Sequence, residues 1–320
     1  MQEPPHPDDV LARTDGGRAA GPRGRARKMH EGEVDIDVAL VRRLVAAQFP
    51  HLADLPIRAV RSTGTVNAIY RIGDRLCARL PRMAAWAESV EHEVAWLPAL
   101  APQLSLRVPE PVARGVPAHG YPFPWAIFRW IEGDPYGDAL VADERDAAGE
   151  LARFVADLRR IDPSGAPPGG RRPLHELDAP TRRAIEAARG AIDGEAVAAA
   201  WARALRAPAW DGPPVWIHTD LLRPNLLVHR GRLCAVIDFG GAGAGDPAAD
   251  VIAAWSVFGR TGRTAFREAL EVDEGTWRRA RGYALHQALL IIPYYAETNP
   301  EFVALAKRTV AEVLADPVGA

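Results

Sequence analysis

HTDLLRPNLLVHRGRLCAVIDFG, residues 218–240, is the stretch of sequence that decides the fold. It contains two apolar runs separated by a turn at Arg230–Gly231, a pattern that predicts a β-hairpin. Polar residues flank this hairpin, with His218, Asp220 and Asn225 before it and Asp238 after it. Because the strands of a hairpin are antiparallel, we expect Asn225 and Asp238 to lie together at one rim.

The residue types at this rim predict a metal site beside a proton acceptor. Mg²⁺ prefers oxygen ligands, takes few of them from the protein and keeps water and phosphate oxygens for the rest. Asn225 and Asp238 are therefore the predicted ligands. Asp220 precedes Asn225 by five residues, where it can accept a hydroxyl proton beside a metal-bound phosphate. The alternative is that Asp220 and Asp238 only cap turns, since Asp is common at strand ends.

The spacing H-x-D-x-x-x-x-N followed by I-D-F-G resembles the catalytic and metal-binding loops of the kinase superfamily. The continuation GAGAGDPAADVIAAW, residues 241–255, narrows the resemblance to the aminoglycoside phosphotransferase family. Asp246 and Asp250 follow Asp238 after a short segment, which leaves no room for a protein-kinase activation segment. We expect these two residues to be caps and loop anchors. The resemblance covers about residues 38–315.

This resemblance implies a role for each polar residue of the quoted stretch. Asp220 matches the catalytic aspartate, Asn225 and Asp238 match the Mg²⁺ ligands, and His218 would brace the catalytic loop. The implied reaction transfers the γ-phosphoryl group of ATP or GTP to a hydroxyl group of a small molecule.

Upstream of this stretch, the sequence predicts a small antiparallel sheet. The first helix is predicted over Val38–Phe49 and a second over Ser89–Leu100. A strand is predicted over Trp125–Trp130. Before it, three strand-like segments are joined by the connections STGT and GD, which is typical of a meander: Ile57–Arg61, Ala68–Ile72 and Arg75–Leu80.

The resemblance assigns the nucleotide phosphates to this meander. The loop over the phosphates would contain Ser62, Thr63, Gly64 and Thr65. Its backbone N–H groups and hydroxyls can face the phosphates. The family usually has a lysine in the third strand. This chain has none between residues 29 and 306, and Arg79 takes the place, with Glu93 as its expected partner on the helix. Otherwise Arg79 points outward to solvent.

The segment WAIFRWIEGD, residues 125–134, resembles the strand and hinge that hold the purine base. Aligned on Gly133, the backbone of Arg129 and Ile131 would bind the base, and Phe128 takes the gatekeeper place. Plain core packing is the alternative for these aromatic residues.

The C-terminal half is predicted to be mainly helical, around the hairpin. The helical patterns cover six segments: Arg145–Arg160, Pro180–Arg206 (one or two helices), Asp246–Phe258, Arg263–Leu270, Asp273–Tyr295 and Pro300–Ala315. The expected fold class is α+β, a bilobal protein-kinase-like fold with a small antiparallel-sheet N-lobe and a mainly helical C-lobe. We place a disordered tail at residues 1–33, the N-lobe at 34–130, the hinge at 131–134 and the catalytic C-lobe at 135–316. Translation starting at Met29 is an alternative, in which case residues 1–28 are not part of the protein.

Composition excludes several classes of protein. The 320 residues have a formal net charge of −2 and a hydrophobic share of 48%, which is ordinary for a globular protein. No apolar run approaches the ~20 residues that a membrane helix needs. Cys77 and Cys234 lie in apolar runs, where a free thiol usually packs as a small hydrophobic residue. Free thiols are expected in a reduced compartment. We expect a cytoplasmic monomer or weak homodimer without membrane or nucleic-acid partners; a nucleic-acid arm at Arg18–Lys28 is the alternative to a solvated charge run.

The acceptor is the least defined part of the prediction. Polycationic aminoglycosides need carboxylates, and the helical half offers Glu268, Glu271, Asp273, Glu274, Glu297 and Glu301. Macrolide kinases of the superfamily commonly have histidine at the place of Asn225, which favours an aminoglycoside-like acceptor. The alternatives are a metabolite kinase of the choline, homoserine or sugar type, and a nucleotide-binding pseudokinase, the latter because the usual lysine is missing.

Overall fold

The computed structural model describes residues 32–60, 66–169 and 171–316. Most of the predicted tail lies outside these ranges, as does the predicted phosphate loop with Ser62, Thr63, Gly64 and Thr65. Glu33 was assigned to the tail from the sequence. It is buried and forms an ion pair with Arg82 at 3.5 Å, so the folded body includes this residue.

The N-lobe is built on a 5-stranded antiparallel sheet in the order β1-β2-β3-β5-β4. Its strands are β1 Ile57–Ala59, β2 Asn67–Ile72, β3 Leu76–Pro81, β4 Pro111–Gly115 and β5 Trp125–Arg129. β3 lies in the centre of the sheet, so nearly all of its side chains are buried. Arg79 is buried with them, and it is the charged residue among apolar neighbours on this strand. The predicted meander is confirmed. β4 was not predicted, because Pro111 and Gly115 weaken the strand signal and this edge strand leaves Val112 exposed.

Two helices pack on this sheet. Helix α1, Val38–Gln48, begins where the Asp37 side chain accepts the N–H of Leu40 at 2.7 Å. Helix α2, Ala87–Leu100, buries a face that contains Val90, Glu93, Leu97 and Leu100. Three- and four-residue spacings place these residues on one side of the helix. The sequence therefore puts a carboxylate at a position that packing alone would fill with an aliphatic residue.

The C-lobe is mainly helical, as predicted. Its helices are α3 Glu144–Arg160, α4 Asp178–Ala188, α5 Gly194–Ala204, α6 Ala248–Val251, α7 Ala253–Ser256, α8 Arg260–Ala269, α9 Glu274–Tyr294 and α10 Pro300–Ala315. The predicted segment Pro180–Arg206 forms two helices, and Asp246–Phe258 divides into α6 and α7. Asn299 caps α10 by accepting the N–H of Phe302 at 3.2 Å. In the described residues, no helix is long and apolar enough to cross a membrane.

The predicted hairpin is present in the C-lobe and positions the site. Its strands, β8 Leu226–His229 and β9 Arg232–Val236, pair antiparallel with Leu226 opposite Val236. Two short strands complete the arrangement: β6 Asp134–Pro135 pairs with β8, and β7 Val215–Ile217 pairs with β10 Gly243–Gly245. Asp134, assigned to the hinge from the sequence, thus already pairs with the C-lobe hairpin. The loop of Asp220 connects β7 to β8, and Asp238 lies between β9 and β10.

Candidate active site

His218 is fully buried at the end of β7 and connects two parts of the site. Its Nε2 donates to the carbonyl oxygen of Ile237 at 3.1 Å, and its Nδ1 accepts the N–H of Asp220 at 3.3 Å. A carbonyl group only accepts and an amide N–H only donates, so these partners fix the tautomer that has its proton on Nε2. The ring therefore ties the Asp220 loop to the strand end that precedes Asp238.

Asp250 anchors the same loop from α6. Its two carboxylate oxygens accept the N–H of His218 at 3.0 and 2.9 Å, and one of them accepts the N–H of Thr219 at 2.8 Å. Burial raises the pKa of Asp250, and these N–H donors oppose the rise. Thr219 has a φ of 77°, a left-handed conformation that is strained in residues other than glycine. Asp250 holds this strained backbone in place, as the expectation of a loop anchor implies.

Asp220 is half-buried, and its carboxylate is fixed through both oxygens. Oδ2 accepts from Asn225 Nδ2 at 2.7 Å, and Oδ1 accepts from Gln287 Nε2 at 2.6 Å. Burial raises the pKa of Asp220 above its usual range, and the nearby charge of Asp238 adds to the rise, while Arg171 opposes it. Each oxygen of an ionised carboxylate has two lone pairs. The group therefore keeps acceptor capacity for a proton while its orientation is set.

Asn225 and Asp238 flank the ends of the β8–β9 pair, where the sequence predicted them. The carbonyl oxygen of Asn225 accepts the N–H of Ile237 at 2.9 Å, which closes this end of the hairpin. Because Asn225 Nδ2 donates to Asp220, its Oδ1 is the amide atom available to a cation. Asp238 Oδ1 contacts Arg79 NH2 at 3.3 Å, and its Oδ2 has no hydrogen-bond partner among the described residues. One amide oxygen and one open carboxylate fit Mg²⁺, which needs few protein ligands.

Arg79 is buried and links three elements. Its NH1 lies 2.8 and 2.7 Å from the two carboxylate oxygens of Glu93, and its NH2 reaches Asp238. Glu93 Oε1 also accepts the N–H of Phe239 at 2.7 Å. Its pKa is raised to about 7, because burial outweighs the attraction of Arg79. The guanidinium lies 5.4 Å from the ring of Phe128, so the solvent-facing alternative for Arg79 is excluded.

The predicted hinge is an extended segment between β5 and β6. The N–H of Arg129 donates to the carbonyl oxygen of Glu110 at 2.9 Å, so this N–H is not available to a base. The N–H of Ile131 forms no hydrogen bond within the described part of the chain. Gly133 has a φ of 154°, and a Cβ there would lie 3.1 Å from the Cβ of Leu227. Glycine thus allows the hinge to pass close to the hairpin.

Arg223 belongs to the Asp220 loop, and its side chain contacts other elements of the C-lobe. Its guanidinium forms a two-pronged ion pair with Asp138, at 2.6 and 3.1 Å, and its Nε donates to the carbonyl oxygen of Val257 at 2.9 Å. The side chain also lies 5.3 Å from the Tyr136 ring. Arg223 therefore attaches the loop to the segment after the hinge.

Two of the acidic residues proposed for a cationic acceptor, Asp273 and Glu274, lie at the start of α9. Asp273 caps α9, and Glu274 pairs with Arg267 and Arg278 in the first turn of that helix. Gln287, which contacts Asp220, comes thirteen residues later on α9, about 20 Å further at 1.5 Å per residue. The structure does not bring this group to the carboxylate. Glu297 and Glu301 lie in and after the turn between α9 and α10.

Sequence reasoning missed two contacts of the site, those of Gln287 and Asp138. Each joins the Asp220 loop to an element far along the chain, 67 residues from Asp220 and 85 residues from Arg223 respectively. A polar residue within a buried helix was the only signal for Gln287. Asp138 had none.

A family model described as the phosphotransferase enzyme family matches residues 58–283. These residues include every described residue of the site except Gln287. Among curated proteins, none matches the sequence significantly.

Solved structures of phosphotransferases are similar to the chain in fold. A GDP complex of a point mutant of aminoglycoside 2'-phosphotransferase-IIIa has a TM-score of 0.68 at 18% identity, covering 87% of this chain and 99% of that one. The streptomycin–ATP ternary complex of APH(2")-IIa has a TM-score of 0.56 at 18% identity, covering 88% and 97%. A macrolide 2'-phosphotransferase apoenzyme from Brachybacterium faecium has a TM-score of 0.56 at 21% identity, covering 89% and 99%. These likenesses confirm the bilobal kinase-like fold predicted from the sequence.

Proposed function

Because this chain belongs to the phosphotransferase enzyme family, we propose that it transfers the γ-phosphoryl group of ATP or GTP to a hydroxyl group of an aminoglycoside-like antibiotic. The nucleotide complexes among its structural neighbours, with GDP and with ATP, support a nucleoside triphosphate as co-substrate. The finer assignment of the acceptor rests on the resemblance of the catalytic loop and on Asn225.

One observation carries the proposal most strongly. Asp220, Asn225 and Asp238 converge from two loops. Asn225 contacts Asp220. Arg79 contacts both Asp238 and Glu93. A set of turn-capping residues would not need a buried arginine and glutamate joined to the same carboxylate. The convergence supports phosphoryl transfer over the structural alternative.

Each described residue then has a defined task. Asp220 orients the acceptor hydroxyl and takes its proton while the hydroxyl oxygen forms a bond to the γ-phosphorus. The bond from that phosphorus to the bridging oxygen breaks, and the nucleoside diphosphate leaves. Arg79 provides positive charge for the nucleotide phosphates, and His218 holds the loop. Asn225 and Asp238 would hold Mg²⁺, which supplies charge neutralisation at the phosphate oxygens.

The base is proposed to bind along the hinge. The N–H of Ile131 has no hydrogen-bond partner among the described residues, which supports its part in the assignment made from the sequence. A backbone N–H does not by itself distinguish adenine from guanine, so both nucleotides belong in the test.

The experiment is a transfer assay with radiolabelled ATP and GTP against aminoglycosides, macrolides and amino alcohols. We expect labelled aminoglycoside from the wild type and none from Asp220→Ala. Label only on an amino alcohol would support the metabolite-kinase alternative. Tight nucleotide binding without transfer to any acceptor would support the binding-only alternative and contradict the proposal.

The metal assignment makes a prediction of its own. Asn225→Ala and Asp238→Asn should each raise the Mg²⁺ concentration for half-maximal activity by roughly tenfold or more, because each removes or weakens one of few protein ligands. Titration calorimetry of nucleotide binding at several Mg²⁺ concentrations gives a second measurement. Asp211→Asn, which changes an exposed aspartate outside the site, is the matched control. Wild-type Mg²⁺ dependence in both site variants would refute the ligand assignment.

A further inference from the structure

Gln287 lies on α9, outside the residues matched by the family model, and reaches the proposed catalytic carboxylate. Its Nε2 donates to Asp220 Oδ1 at 2.6 Å, a short hydrogen bond to an acceptor that is charged when ionised. An ionised carboxylate only accepts, so the orientation of the amide is fixed with nitrogen toward Asp220 and Oε1 away from it.

The other half of this amide is unusual. Gln287 Oε1 is buried and has no hydrogen-bond partner among the described residues. Gln287 lines a cavity of about 20 Å³, whose other lining is mainly apolar and includes Leu222 and Ile291 besides the polar Ser256 and Thr309. A buried unpaired oxygen destabilises a fold, and an aliphatic side chain would suit such surroundings better. Packing alone therefore does not explain a glutamine at this position.

The contact also completes the restraint on Asp220. Asn225 Nδ2 holds Oδ2 from the catalytic loop itself, and Gln287 holds Oδ1 from a long buried helix of the C-lobe. A carboxylate held at only one oxygen can rotate about its side-chain torsions, whereas two donors from different elements define its plane. Misplacement of a reacting group by about 1 Å can lower a rate by roughly 10²-fold.

We propose that Gln287 is a positioning residue for phosphoryl transfer, which sets the orientation of the Asp220 carboxylate toward the acceptor hydroxyl. This inference deepens the proposed function and rests on it. Gln287 touches neither reacting atom in this role and acts through Asp220.

The test is Gln287→Met, which keeps the approximate size of the side chain and removes both the donor and the unpaired oxygen. We expect kcat to fall by roughly 10- to 100-fold, with acceptor KM and nucleotide Kd within about twofold of wild type. The melting temperature should stay close to wild type, because the lost hydrogen bond and the removed unpaired oxygen have opposite effects. Gln103→Met is the matched control, since that exposed glutamine donates only to the carbonyl oxygen of Ala99.

A double-mutant cycle separates positioning from a general structural role. In an Asp220→Ala background, Gln287→Met should cause no further fall in kcat, because the group through which it acts is gone. Additive losses, a melting temperature several degrees lower, or an unchanged kcat in an active enzyme would each overturn the inference alone. A wild type without transfer to any acceptor or to water would overturn the proposed function and this inference with it.

Discussion

Asp220→Ala is expected to lower turnover by roughly 10²- to 10⁴-fold, the usual effect of losing a general base. The variant removes a carboxylate that two side-chain donors hold in place and that keeps acceptor capacity for a further proton. Nucleotide affinity should change little, because Asn225, Asp238 and Arg79 remain. The measurements are steady-state transfer with the best acceptor and calorimetric nucleotide binding.

Two controls test whether a fall in turnover comes from the general loss of a carboxylate or from unfolding of the loop. Asp211→Ala shortens an exposed aspartate outside the site and should keep wild-type turnover. The melting temperature of Asp220→Ala shows whether the loop still folds around His218 and Asp250. A folded Asp220→Ala variant with wild-type turnover would remove this residue from the reaction.

The core of the site could be predicted from the sequence because its geometry is local. Asn225 and Asp238 lie at the ends of one hairpin with a short turn, so alternation and turn residues suffice to place them together. The pairing of Arg79 with Glu93 followed from the resemblance, and burial on the central strand explains why both side chains turn inward. The helix cap at Asn299 is equally local.

The remaining contacts depend on tertiary packing, which has no local signal. Gln287 and Asp138 contact the Asp220 loop from positions far away in the sequence, and nothing in their immediate neighbours marks them. β4 was missed for another reason, since an edge strand with proline at its start buries only alternate residues. Asp273 and Glu274 lie at the start of α9, about 20 Å along the helix from Gln287, so their distance from Asp220 depends on how α9 packs in the C-lobe.

Arg79→Ala is expected to have the largest effect on stability, with a loss of roughly 3–5 kcal/mol in unfolding free energy, because it leaves Glu93 buried without its partner. The same change should weaken nucleotide binding and slow transfer, since it removes the positive charge that we assign to the phosphates. Denaturant unfolding, nucleotide calorimetry and the transfer assay measure the three effects separately.

The pH dependence of this loss has a defined sign. The folded-state pKa of Glu93 is raised to about 7, above its ordinary value of 4.5, so the wild type loses stability as the pH rises from about 4.5 to about 7, where the folded state keeps a proton that the unfolded state has released. Without Arg79 that pKa rises further. The stability deficit of Arg79→Ala relative to wild type should therefore grow between about pH 6 and pH 9, and a deficit independent of pH would contradict the pairing.

Two further variants separate the structural and chemical contributions of Arg79. Arg79→Met with Glu93→Leu replaces the buried pair by apolar side chains and should recover most of the lost stability without recovering transfer. Arg79→Lys keeps the charge without the forked geometry, so we expect partial activity and nucleotide binding between wild type and Arg79→Ala. If the apolar pair restored transfer, or if Arg79→Ala bound nucleotide as tightly as wild type, Arg79 would have no role at the phosphates and would only neutralise Glu93.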